Sequence, residues 1–129
     1  AEPNRDAVPR GGGGTQRLAR LVGRGWASIM SFTGDFVEAE EAHRIGLVDI
    51  LVGEGEHLAK AIDLAGRMTR WSPVALRLAK DAIRAAFEMP LAEGLVYEKD
   101  RFLDAFASED GAEGVAAFVE KRKPNFKGR

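Results

Sequence analysis

Residues 71–80, Trp71-Ser72-Pro73-Val74-Ala75-Leu76-Arg77-Leu78-Ala79-Lys80, decide how the second half of the chain is read. Ser72 can cap a helix with its hydroxyl, and Pro73 then sits at the first helical position, where its missing N–H costs nothing. Beyond that start, Leu76, Ala79, Ile83, Ala86 and Phe87 recur at helical spacing until Pro90 interrupts. Working outward, Leu58, Ala61, Ile62, Ala65 and Met68 stripe a preceding helix, and Leu91, Leu95, Phe102 and Phe106 a following one. Asp110, with Glu113 three residues on, reads as an acidic capping box for a last helix through Val115, Phe118 and Val119, ended before Pro124.

The first half is less regular. Pro3, Pro9 and Gly11 to Gly14 deny both a continuous helix and a central strand. Leu18, Leu21 and Val22 then follow helical spacing, Gly23 and Gly25 break it, and Trp26, Ile29 and Met30 resume it. Glu38 to Arg44 predicts a brief polar helix, closed by Gly46 in a left-handed cap with Leu47 as its apolar contact. Leu47 to Val52, β-branched and apolar between Gly46 and Gly53, predicts the one strand. The expected fold class is therefore mostly α: six or seven helices with one short strand. A lone strand leaves its N–H and C=O groups without partners unless another segment or chain supplies them, which suggests part of something larger. The predicted organisation is an irregular glycine-rich segment over 1–14, short helices and the strand over 15–54, and a helical region over 55–129.

Length and composition bound the rest. A chain of 129 residues, 45% apolar and 30% charged, suits one ordinary domain able to bury roughly two thirds of its unfolded surface. The absence of cysteine excludes disulfides, thiolate metal sites and a Cys nucleophile. No apolar run reaches the ~20 residues that cross a bilayer, and the polar start is unlike a signal peptide, so no membrane association and a cytoplasmic setting are expected. The net charge of −1 is unevenly spread: five arginines against Glu2 and Asp6 make residues 1–24 basic, the middle is acidic, and Lys121, Arg122, Lys123, Lys127 and Arg129 make the end basic. That end suits the negative pole of a helix, or a phosphate. Nucleic acid is not an expected partner, because no recognition module or interleaved aromatics accompany the cations.

Few residues invite chemistry on their own. Gly11 to Thr15 opens onto a helix, but Thr15-Gln16 stands where a phosphate-binding P-loop needs Lys followed by Ser or Thr. His43 and His57 are the only imidazoles and have no ligand spacing, so no metal site is expected. No serine has the context of a nucleophile. Trp26, Met30, Phe36, Phe102, Phe106 and Phe118 read as core, since burying one such side chain contributes about 1.5–3 kcal/mol without any ligand.

Val8-Pro9 with Gly11 to Leu18, Leu21-Val22-Gly23, Thr33-Gly34, Ala39-Glu40-Glu41-Ala42 and Gly46-Leu47-Val48 resemble the enoyl-CoA hydratase (crotonase) family. The resemblance continues in Ser72-Pro73, Ala79-Lys80, Phe106 to Asp110, Glu113-Gly114 and Ala117 to Pro124, and so covers about residues 8–129. It extends to the C-terminal half of that family, whose helices cap the site and mediate oligomer formation. It implies that residues 55–129 are a capping and oligomerisation region, that the substrate is an acyl-CoA thioester with no further cofactor, and that the partners are acyl-CoA or CoA together with either like subunits in a trimer or dimer or a complementing N-terminal half. The family reaction adds water to a 2-enoyl-CoA, and two backbone N–H donors take up the charge that develops on the thioester oxygen. The resemblance puts those donors and one catalytic Glu N-terminal to the segments matched here. Glu2 is the candidate for the second Glu, although Glu2-Pro3 reverses the family's usual Pro-Glu order and Arg10 is an insertion before Gly11. By the same resemblance Phe118 and Lys121 reach the CoA moiety, Phe102 flanks the acyl or pantetheine channel, and Trp26 and Met30 line the acyl pocket. The expected function is that of a partial enoyl-CoA hydratase, inactive as a lone polypeptide. The alternatives are activity as a lyase or isomerase when complemented, and a non-catalytic helical oligomerisation module.

Overall fold

A computed structural model describes residues 12–129, which contain six helices and no strand. The chain divides into two compact units, Ala1–His57 and Leu58–Arg129.

In the first unit, α1 (Gly14–Thr33) is interrupted at Gly23, whose φ of 77° and ψ of 165° lie outside the helical region. The glycine break predicted between two short helices is thus a kink that needs a residue without Cβ. On the second limb Ala27 and Met30 are buried. Gly34 closes the helix left-handed, while Thr33 Oγ1 donates to the Ile29 carbonyl and accepts the Asp35 N–H. Next, α2 (Ala39–Arg44) buries Ala42, and the Gly46 and Leu47 amides donate back to His43 and Ala42, as the predicted left-handed cap requires.

The strand expected over Leu47–Val52 does not form. A β-branched run becomes a strand only against a neighbour, and none is present among the described residues. Part of its backbone bonding returns to α2 instead: the Val48 N–H donates to Ala42 O at 3.2 Å, and His43 Nδ1 donates to Val48 O at 3.0 Å.

The second unit contains α3 (His57–Met68, save its first residue), α4 (Pro73–Ala85), α5 (Leu91–Ala107) and α6 (Glu109–Glu120). α4 packs on α5 and α5 on α6. Ser72 caps α4 as predicted, its hydroxyl accepting the Ala75 N–H, with Pro73 at the first turn. The start of α6 differs from expectation. Ser108, not Asp110, is its cap: Ser108 Oγ accepts the Gly111 N–H at 2.9 Å and donates to the Ala105 carbonyl. Two helices turn back on each other there so tightly that a methyl group at Gly111 would overlap the carbonyl oxygens of Ala105 and Phe106. No helix among the described residues is long and apolar enough to cross a membrane.

The core is small: Val74, Ala85 and Ala117, with polar Ser72 and Asp110, are the buried residues of the second unit. Many residues read as core are instead exposed. Phe36, Phe102, Phe106 and Phe118 all lie more than half open to solvent, with Phe118 at 85%. Their stripes have the right period, but no described element covers them.

Candidate functional site

In the first unit, Trp26 and Met30 lie one turn apart on α1. Met30 is buried and Trp26 is half-buried, so the core reading holds for this pair. The Arg44 guanidinium lies over the Trp26 ring, 5.8 Å from its centroid. Glu41 grips Arg44 from one turn earlier, and that hydrogen bond, with the attraction of the two charges, holds the Glu41 carboxyl below its ordinary range and raises Arg44.

In the second unit, α4 and α5 enclose a cleft of about 550 Å³, walled by alanines of α4 and by Phe102 and Arg101 of α5. Phe102 stacks on Phe106 with ring centroids 6.1 Å apart. Arg101 lies 5.0 Å from the Tyr97 ring centroid and 3.0 Å from Asp104, while its Nε is buried without a partner. This cleft therefore places one sequence-predicted residue, Phe102, beside a cation that sequence reasoning did not single out.

Phe118 and Lys121 stand at the end of α6. Both are exposed, and Lys121 adopts a left-handed conformation, φ 54° and ψ 37°. Three acidic residues of α6 bond the chain that follows it. Glu109 receives Arg129 at 2.9 Å. Asp110, only 3% exposed, accepts the Ser72 hydroxyl at 2.6 Å and the Lys127 and Gly128 amides at 2.7 and 3.0 Å. Glu113 takes the fork of Arg122 at 2.6 and 2.9 Å and the Asn125 N–H at 2.6 Å. Burial pushes Asp110 up, yet its donors outweigh that and leave the carboxyl below its ordinary value. Glu113 is held at about 2, mainly by Arg122 and the Asn125 amide, and Arg122 is raised in turn.

Two backbone N–H groups thus converge beside an ionised carboxylate, the arrangement an oxyanion site would need. They do not form one, because Asp110 itself occupies both donors. Sequence reasoning missed this role for Asp110. The residue reads equally well as a helix-start acid, and only the return of Lys127 and Gly128 past it distinguishes the two. Glu2, the catalytic candidate, lies outside the described residues, as does Gly11. Among the described residues no group of three or more His, Cys, Asp or Glu could hold a metal ion.

The profile of the family described as enoyl-CoA hydratase/isomerase matches residues 7–129. The chain belongs to the enoyl-CoA hydratase/isomerase family. It is 44% identical over 119 residues to 2,3-dehydroadipyl-CoA hydratase of Escherichia coli, a match covering 92% of this chain and 47% of that protein. Over 117 residues it is 45% identical to the mitochondrial enoyl-CoA hydratase of Pongo abelii, covering 91% of this chain and 40% of that one. A crystal structure of enoyl-CoA hydratase from Bacillus anthracis superposes with a TM-score of 0.88 at 41% identity, over 95% of this chain and 48% of that one. The chain spans about half the length of the enoyl-CoA hydratases it matches.

Proposed function

We propose that these 129 residues serve, in the cytoplasm, an enoyl-CoA hydratase that adds water across the double bond of a 2-enoyl-CoA thioester, and that they supply acyl-CoA and subunit contacts. The observation that carries this reading is the family match over residues 7–129. In it, Trp26 and Met30 line the acyl pocket, Phe102 flanks the acyl or pantetheine channel, and Phe118 with Lys121 meets the CoA moiety, the lysine through a phosphate. Glu2 is the proposed carboxylate for handling water. Lys121 is suited to its part: it is exposed and makes no ion pair among the described residues.

Hydration makes the thioester oxygen an enolate oxygen, so two amides must be free to receive it before the reaction begins. The convergent pair at Lys127 and Gly128 is engaged by Asp110. Because the resemblance puts the family's two donors N-terminal to the segments matched here, a polypeptide of these 129 residues alone is expected not to hydrate crotonyl-CoA, and supplying an N-terminal crotonase half in trans is expected to produce hydration or isomerisation. The test is loss of enoyl-thioester absorbance with and without that half. Ordinary turnover by the 129 residues alone overturns the division of labour, and inactivity with several complementing halves overturns the catalytic reading.

The uncovered apolar side chains favour a second reading, a non-catalytic helical module that associates with its own kind as a dimer or trimer. Phe118, Leu91 and Val119 are each more than 70% exposed. Light scattering at micromolar concentration tests it, and a monodisperse monomer counts against it.

A further inference from the structure

Three helices of this chain are followed by a left-handed turn, and one of those turns differs from the other two. The chain turns left-handed at Gly34 after α1 and at Gly46 after α2, with φ of 70° and 79°, and glycine takes such a turn without steric cost. After α6 the same turn falls on Lys121, which among the described residues is the non-glycine residue with positive φ. A Cβ is disfavoured there, so the turn must be imposed by its surroundings.

What imposes it is visible. The Lys121 and Arg122 amides donate to Phe118 and Ala117. Arg122, the next residue, is fixed by its side chain at three points: a two-pronged bond to Glu113 and a bond from Nε to Glu120 at 2.5 Å. Glu113 also takes the Asn125 N–H, so one carboxylate of α6 pins the chain at two points just after the turn. Glycine would make this clamp unnecessary. A clamp around a disfavoured lysine makes sense if the lysine side chain is what the turn is meant to present.

From this geometry we infer that Glu113 and Arg122 are positioning residues that hold Lys121 left-handed, so that its ammonium meets a phosphate of the coenzyme A part of the substrate. The inference rests on the proposed CoA contact of Lys121 and extends it to two residues that touch no substrate. Because the fork is planar and rigid, it fixes a direction as well as a charge, which a lysine in place of Arg122 could not do.

The experiment is a double-mutant cycle read by calorimetric titration of coenzyme A into the 129-residue chain. Lys121→Gly is expected to raise the thermal midpoint, by relieving the turn, while weakening coenzyme A. Glu113→Gln is expected to weaken coenzyme A roughly three- to tenfold, with no further loss when added to Lys121→Gly. Arg122→Lys, which keeps the charge but loses the fork, is expected to behave like Glu113→Gln and guards against a fold defect in that variant. A wild-type chain that does not bind coenzyme A overturns both the contact reading and the inference. Wild-type binding, with losses that add in the double variant or with a midpoint that falls in Lys121→Gly, overturns the inference alone.

Discussion

The tail at 121–129 and the run at 47–52 invert what their sequences suggest. The tail carries no regular secondary structure, yet Glu109, Asp110 and Glu113 bind it at Arg129, at the Lys127 and Gly128 amides, and at Arg122 and Asn125. The run from Leu47 to Val52 has the composition of a strand, yet it forms no ladder, and Ile50 and Leu51 lie 44% and 40% exposed. Regular pattern and completed bonding are different properties. The tail is bonded by side chains of α6, whereas the strand-like run finds no strand partner among the described residues.

Asp110→Ala should separate the two regions most sharply. It removes the acceptor from two backbone amides and from the Ser72 hydroxyl, and so loosens the tail and the start of α4 together. The thermal midpoint is expected to fall by roughly 5–10 °C, with loss of hydrogen-exchange protection at Lys127 and Gly128 and no change around residues 47–52. An unchanged midpoint would mean that the tail is not held by this carboxylate. Gly111→Ala comes next. In an ordinary helix interior this change stabilises, but here the added methyl meets two carbonyl oxygens of α5, so a loss of about 1–3 kcal/mol is expected in a denaturant titration.

Much of the helical framework was legible because its signals are local. Ser72-Pro73, the Gly23 break and the Gly46-Leu47 cap are each decided by a few neighbouring residues, and each forms as read. The strand was not decided locally, since pairing depends on a partner outside the run. The start of α6 was misread for a related reason: Asp110 satisfies the local rule for a capping acid, but bonds to residues seventeen and more positions away draw its carboxylate elsewhere, and Ser108 takes the cap. Likewise, Phe102 and Phe118 have core periodicity, and periodicity does not say whether anything will lie against the stripe. Met30 was legible as a buried residue and Trp26 as its half-buried neighbour one turn away, whereas Arg44 over the Trp26 ring had no signal beyond its charge.

Acid should open the tail in a defined window. Glu113 is held at about 2, below the ordinary carboxylate value of 4.5, so folding with a bound Arg122 favours its ionised form. For a depressed carboxyl, the stabilising contribution is fully present above the unfolded value and is lost as pH falls through the folded one. Exchange protection at the Asn125 amide is therefore expected to hold from neutral pH to about 4.5, weaken below it, and vanish near pH 2. Asp110, also lowered, acts in the same direction. Protection that disappeared already near pH 6 would assign the tail to some other group. High salt is expected to weaken the exposed Glu109 to Arg129 bond before the buried Asp110 bonds.

The smallest effect expected on the chain by itself comes from the other region. Ile50→Lys places a charge on a side chain already 44% exposed, so the thermal stability of the 129-residue polypeptide is expected to change by no more than about 0.5 kcal/mol. If the run becomes a strand against a neighbour, the same substitution buries an unpaired charge or blocks the pairing, and activity reconstituted with an N-terminal half should be lost. A near-silent effect alone and a severe effect in the reconstituted protein would identify 47–52 as an unfinished strand. Equal tolerance in both settings would make it an ordinary connecting loop, whose β-branched residues serve only the turn back onto α2.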